Sequence, residues 1–171
     1  PANLHDHPAP ALLLGRIAFS SDRAGSLDIY TADPDLTQVR RLTVSSDNEL
    51  SPAWSPDRNR LAFQRWQGGH WNLWVMNADG SDRRQLVAGG FGAPYWSPDR
   101  RQLLINVFQD PAESRIYDFS TGQVTPLKLP GQTIFSWPSW AGPHTLVACV
   151  GRGAEPDAIV LLDITRPDES T

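Results

Sequence analysis

The pentapeptide Trp-Ser-Pro-Asp-Arg occurs twice, at Trp54–Arg58 and at Trp96–Arg100, 42 residues apart. A fixed internal period constrains the fold strongly, because each recurring segment must form the same supersecondary unit and bury its apolar face against the next. Each copy is followed by an apolar run, Leu61-Ala62-Phe63 and Leu103-Leu104-Ile105, and the run recurs at Ile17-Ala18-Phe19 and Leu146-Val147-Ala148. Further parts keep step. Asp28-Ile29-Tyr30 matches Asn72-Leu73-Trp74, and Arg40-Arg41-Leu42-Thr43 matches Arg84-Gln85-Leu86-Val87, both 44 residues on. Worn versions stand at Arg115-Ile116-Tyr117-Asp118, Ser139-Trp140-Ala141-Gly142-Pro143 and Ala158-Ile159-Val160-Leu161.

A period of about 40–45 residues with four short strands per unit is that of a β-propeller blade. Helical repeats of similar length need amphipathic stretches of about ten residues or more. Here 15 Pro and 13 Gly punctuate the chain, which suits short strands joined by turns. One blade reads in full. Its strands are expected at Ser51–Trp54, Leu61–Trp66, Trp71–Asn77 and Arg84–Val87. Ser55-Pro56-Asp57-Arg58-Asn59, Gln67-Gly68-Gly69 and Ala78-Asp79-Gly80-Ser81-Asp82 are the turns between them, and Gly89-Gly90-Phe91-Gly92 is the crossover to the next blade.

Pro52-Ala53-Trp54-Ser55-Pro56-Asp57, then Leu61-Ala62-Phe63, then Leu73-Trp74-Val75-Met76 and Asp79-Gly80, resembles the TolB-like (WD40-like, PD40) β-propeller repeat. The resemblance covers about residues 15 to 165 and is strongest in the middle two repeats. The family carries Gly where this chain has Arg58 and Arg100. It implies an all-β propeller of about four blades, the last incomplete because the chain stops after a third strand at Leu161–Ile164. Residues 1–14 form an N-terminal segment. Within it Ala11–Leu14 offers either an inner strand for the first blade or a closing strand for the last. Residues 166–171 read as a disordered polar tail. Either four blades close a small ring, or the chain is part of a larger ring, or two copies complete one as a homodimer.

The charge balance narrows the partners. Net charge is −4, and the cations are scattered without a basic run, so nucleic acid is not expected. No apolar stretch approaches the roughly 20 residues of a membrane span, so membrane insertion is not expected. The single Cys149 excludes an internal disulfide and, in the run Leu146–Val150, reads as a buried thiol.

Trp54 and Trp96 recur at one blade position and are expected in the packing between blades. Ser55, Pro56 and Asp57, with Ser97, Pro98 and Asp99, read as turn residues, the carboxylates capping backbone N–H groups. Trp66, Trp71 and Trp74 do not all recur, which makes them candidates for an exposed binding surface. Asp79-Gly80-Ser81-Asp82 lacks the further oxygen ligands of a calcium loop. His5-Asp6-His7 is a weak metal signal without spaced partners, and His70 and His144 have none. No Gly-x-Ser-x-Gly elbow or Gly-x-x-x-x-Gly-Lys loop is present. The expectation is a non-catalytic scaffold that binds a protein or peptide, with no catalytic residues, metal or cofactor. By the resemblance it would be periplasmic or extracellular. The alternative is an accessory or sensor propeller of a larger enzyme, such as a prolyl-oligopeptidase-like peptidase, or of a receptor kinase.

Overall fold

The computed structural model describes residues 15–107, 113–127, 133–134, 138–151 and 158–165. Among them there are strands and turns and no helix. The first blade contains β1 (Ile17–Ser21), β2 (Asp28–Ala32) and β3 (Arg40–Arg41). The second has β4 (Glu49–Trp54), β5 (Arg60–Gln67), β6 (His70–Asn77) and β7 (Arg84–Val87). The third has β8 (Phe91–Trp96), β9 (Gln102–Val107), β10 (Glu113–Asp118) and β11 (Val124–Pro126). The fourth has β12 (Thr133–Ile134), β13 (Ser139–Trp140), β14 (Thr145–Gly151) and β15 (Ala158–Asp163). Blades two and three are antiparallel meanders in chain order, from an inner strand outward. In the fourth, β12 and β13 both pair with β14, so they share the inner position, and β15 pairs with its other edge.

Each observed strand of the second blade lies within two residues of its expected span. The inner strand starts earlier than expected because of a β-bulge. Leu50 pairs with Gln64 and Ala53 with Ala62, so Ser51 and Pro52 together face one residue, and Ser51 takes φ 52°. The third blade repeats the shift between Phe91 and Pro94. A bulge leaves one residue out of the ladder, where proline's missing N–H costs nothing. That accounts for Pro52 two residues before Trp54; in the third blade Pro94 pairs with Ile105 directly after the irregularity. Gly89-Gly90-Phe91-Gly92 is only half a crossover: Phe91 and Gly92 already belong to β8, and Phe91 is buried.

The cores lie between blades, not within them. Successive residues of a strand point to opposite faces, and here both faces are covered. Leu61 and Phe63 pack with Met76 against Ile29 and Leu42 of the first blade. Ala62, with Leu73 and Val75, packs against Phe91, Leu103 and Ile105 of the third. Leu104 and Ile116 turn the other way, onto Leu146, Ala148, Val150 and Leu162. This explains why the repeat's apolar runs are continuous and do not alternate. Full burial stabilises by about 1.5–3 kcal/mol for each such side chain. Cys149 corrects an expectation: it is only half-buried, because it lies on the face of β14 opposite Ala148 and Val150. The expected closing run Ala11–Leu14, the His5-Asp6-His7 cluster and the tail 166–171 lie outside the described residues.

Candidate functional site

Three places gather the residues that could act, and the first is the row of turns that follow the inner strands. The Ser55 hydroxyl donates to Asp57 at 2.6 Å, and the Asn59 N–H donates to the same carboxylate. Ser97 and Asp99 repeat this at 2.6 Å, with the Arg101 N–H as second donor. Both carboxylates therefore cap their own turns, as expected. The Ser55 hydroxyl bond, with smaller help from Asn59 and Arg100 and against some desolvation, lowers the Asp57 pKa to about 2. Burial resists ionisation of Asp99, but Ser97, the Arg101 N–H, His144 and the Arg101 charge outweigh it and hold its pKa below the ordinary value.

Arg58 and Arg100 occupy left-handed backbone at φ 60° and 68°. Such φ values favour glycine, which is why the family's Gly belongs there. Each arginine reaches the preceding blade, Arg58 to the Arg16 carbonyl at 3.1 Å and Arg100 to Asp57 at 3.0 Å. Arg60 lies on the stacked rings of Trp96 and Phe119, 4.7 and 4.5 Å from their centroids. Burial lowers its pKa. Between blades three and four, Arg100, Arg101, Asp118, Phe119 and His144 line a cleft of about 500 Å³.

The repeated tryptophans bind the inner strands together, but unequally. The Trp96 indole N–H donates to the Ala53 carbonyl at 3.0 Å, and that of Trp140 donates to the Tyr95 carbonyl at 3.0 Å. Trp96 is buried, in agreement with the sequence reading. Trp54 departs from it: the residue is only partly buried, and its buried indole N–H meets no acceptor among the described residues.

The second place is the tip of the hairpin between β5 and β6. Gly68 and Gly69 form its two-residue loop, both at positive φ, between the paired Gln67 and His70. Trp66 pairs directly with Trp71, and the rings meet edge to face at 5.3 Å. Trp66 is 42% exposed. Trp74 does not join them. It lies on the opposite face of β6, half-buried against Phe63 beneath the Arg65 guanidinium.

The third place escaped the sequence reading. At the junction of blades one and two, buried Asp28 accepts from Arg41 and from the Ser45 N–H. Arg65 donates to Asp47 at 2.8 Å and lies 3.7 Å from Glu49. Glu49 is fully buried, and among the described residues neither carboxylate oxygen has a hydrogen-bond donor. The nearby Thr43 hydroxyl is turned toward Asp28. Burial raises the Glu49 pKa; Thr43 and Arg65 oppose it without cancelling it. The available signal was a mismatch in the repeat. In the next blade the place of Glu49 is held by Phe91 and that of Asp28 by Asn72.

Among the described residues no group of three or more His, Cys, Asp or Glu is placed to hold a metal ion. Among them, too, no helix is long and apolar enough to cross a membrane.

No family model matches the chain. The Tol-Pal system protein TolB of Desulfosudis oleivorans is 34% identical over 97 residues, covering 55% of this chain and 22% of that protein. A TolB homolog of Chlorobium chlorochromatii is 39% identical over 110 residues, covering 64% of this chain and 25% of that protein. The chain thus spans about a quarter of the length of these relatives. Among solved structures, TolB from Acinetobacter baumannii superposes with a TM-score of 0.72 at 25% identity, over 90% of this chain and 40% of that one. A puromycin hydrolase does so with a TM-score of 0.69 at 18% identity, over 93% of this chain and 29% of that one.

Proposed function

From a chain whose blades are TolB-like β-propeller repeats, we propose a binding role: a non-catalytic scaffold that takes a protein or peptide partner, in the periplasm or outside the cell. One observation carries the reading. Trp66 stands 42% exposed against Trp71 at the tip of a rigid two-stranded hairpin. A large aromatic held with little rotamer freedom loses little entropy on binding, and such residues anchor protein interfaces. Relatives named for the Tol-Pal system are in keeping with a protein partner. The test places a photo-crosslinking amino acid at position 66 or 71 in cells, with position 36 as an exposed control. Adducts to one extracytoplasmic protein at 66 and 71, absent at 36, support the reading. The same adducts at all three positions, or none, reject it.

A second reading, an accessory propeller of a larger hydrolase, is favoured by the likeness to puromycin hydrolase. It requires a hydrolase domain in the flanking coding sequence, which sequencing decides. The outward face of β15 adds a further element to the proposal, since Ile159 and Leu161 are 76% and 55% exposed there. A second copy's blade covering that face would complete a two-chain ring. Light scattering that finds an 18.9 kDa monomer at all concentrations rejects this part.

A further inference from the structure

The repeat makes two junctions directly comparable at the ends where the second strand of a blade begins. Arg60 opens β5 and pairs with Asn77, and its N–H donates to the Ser55 hydroxyl. Gln102 opens β9 at the same place: it pairs with Asp118, and its N–H donates to the Ser97 hydroxyl. Between blades two and three the Arg60 guanidinium fills the junction. It lies on the rings of Trp96 and Phe119 and donates to the Arg100 carbonyl at 3.3 Å. Gln102 has a shorter side chain and stays on its own blade, where its amide N–H donates to Asp118 at 3.3 Å. The cleft of about 500 Å³ between blades three and four opens at Gln102. The Gln102 Oε1 atom is buried and meets no donor among the described residues. A buried acceptor left unpaired costs the desolvation of the group, so the cleft favours an occupant that donates.

Charge says which donor. Asp57 favours the charge of Arg60, while Arg84 and Arg100 oppose it. In the cleft Asp99 stands in the place of Asp57, and Asp118 adds a second carboxylate where blade two has Asn77. The Ser120 hydroxyl, against some desolvation, holds the Asp118 pKa below the ordinary value, as Ser97 helps to do for Asp99, so both are charged at neutral pH. The place of Arg84 is taken by neutral Thr125, which pairs with Ile116 as Arg84 pairs with Val75. Of the cations at the cleft, Arg100 is committed to Asp57, Arg101 is exposed, and exposed His144 lies near Asp99. Phe119 also lines the cleft, and the face of an aromatic ring attracts a cation.

We propose that the cleft between blades three and four takes the guanidinium of an arginine side chain from a partner peptide, paired with Asp99 and Asp118, set against Phe119 and donating an N–H to Gln102 Oε1. The occupant stands in for the arginine that blade three lacks at the place of Arg60. A planar fork of N–H donors serves carboxylates and an amide oxygen at once, which a lysine ammonium does less well. The proposal rests on a binding role for the chain but on neither Trp66 nor Trp71. Those lie at the far ends of β5 and β6 from Arg60 and Asn77, so either site can fail without the other.

Titration of the whole isotope-labelled chain with an acetylated, amidated Gly-Arg-Gly peptide, followed by NMR, tests this. The peptide should shift the Gln102 side-chain amide and the Ser120 backbone amide at millimolar concentration and leave the Trp66 and Trp71 indoles in place. The same peptide with citrulline, which keeps the shape and loses the charge, should bind roughly tenfold more weakly. Asp118→Asn should weaken the arginine peptide by about the same factor. Gln102→Arg, which supplies the guanidinium from within, should abolish its binding. Equal shifts from the two peptides overturn the proposal, as does no shift at all, or arginine-peptide binding that is unchanged in both variants. A Gly-Glu-Gly peptide that moves the same amides more strongly also overturns it, because the cleft is then an anion site. Should Gln102→Arg fail to fold, Asp118→Asn decides alone, and unchanged affinity there overturns the proposal.

Discussion

The junction between blades one and two and the junction between blades two and three use the same frame with different chemistry. In the first, Asp28 caps the Ser45 N–H, and at the matching place in the second Asn72 caps the Gly89 N–H. One charge has become an amide and the hydrogen bond is kept. Glu49 tops the inner strand of blade two, where blade three has the buried Phe91. Gln64 then joins the second junction by donating to the Phe91 carbonyl at 2.7 Å. The first junction must hold the carboxylates of Asp28, Asp47 and Glu49 with the guanidiniums of Arg41 and Arg65. The difference teaches that strand ladders and turns set the blade, while the filling between blades is free to vary. A charged filling adds specificity more readily than stability, because taking ions out of water costs much of what their attraction returns.

Truncation of the repeated tryptophans should give the largest contrast. Trp96→Ala should cost about 3–5 kcal/mol, since it removes a buried aromatic, its stack on Phe119 and its bond to Ala53. Trp54→Ala should cost less, about 2 kcal/mol, because less of the ring is covered. Urea melts of both variants check this, and equal losses would erase the contrast.

Glu49→Gln sharpens the comparison by making the first junction more like the second. The folded-state pKa of Glu49 lies above its unfolded value of 4.5. Its contribution is therefore fully present below about pH 4.5 and is lost as pH rises through the raised folded value. The variant should match the native chain at low pH and become more stable at pH 7, by a difference on the order of 1 kcal/mol. Urea midpoints from pH 4 to 8 give the result, and a gap that does not change with pH counts against the buried carboxylate.

The smallest effect concerns the two left-handed arginines. Arg58→Gly should stabilise by less than about 1 kcal/mol, since glycine takes that backbone without strain but gives up the exposed bond to the Arg16 carbonyl, which carries no charge pair. Arg100→Gly should be nearly neutral, because it also gives up the Asp57 pair, worth about 0.2–1 kcal/mol at an exposed site. Thermal melts of the two variants, run at high and low salt, separate strain from pairing.

The blades, their strands and their turns were legible because they are local. Gly80 is one example: it takes φ 88°, and a Cβ there would meet the Leu42 carbonyl at 2.9 Å, so the Asp-Gly turn seen in the sequence is required twice over. The capping by Asp57 and Asp99 is another, since each carboxylate bonds a residue two places away. The candidate surface was legible only in part. Trp66, Trp71 and Trp74 stand on neighbouring strands, but which strand face meets which blade is not written in any one repeat. Glu49 was missed because an acidic residue at the end of a strand looks like an exposed one.

The sequence by itself determined the period, the all-β class, the turn chemistry and the kinship of the repeats, because each depends on residues within one blade of about 40–45 positions. The tertiary structure decided which face of each strand is dry, why Trp96 is buried and bonded while Trp54 is only partly buried with an indole N–H that meets no acceptor among the described residues, and where a carboxylate lies buried without a donor among them. These depend on contacts between blades, between residues more than forty positions apart, such as Trp96 and Ala53. Burial and dielectric are properties of that assembled neighbourhood, and no single repeat carries them.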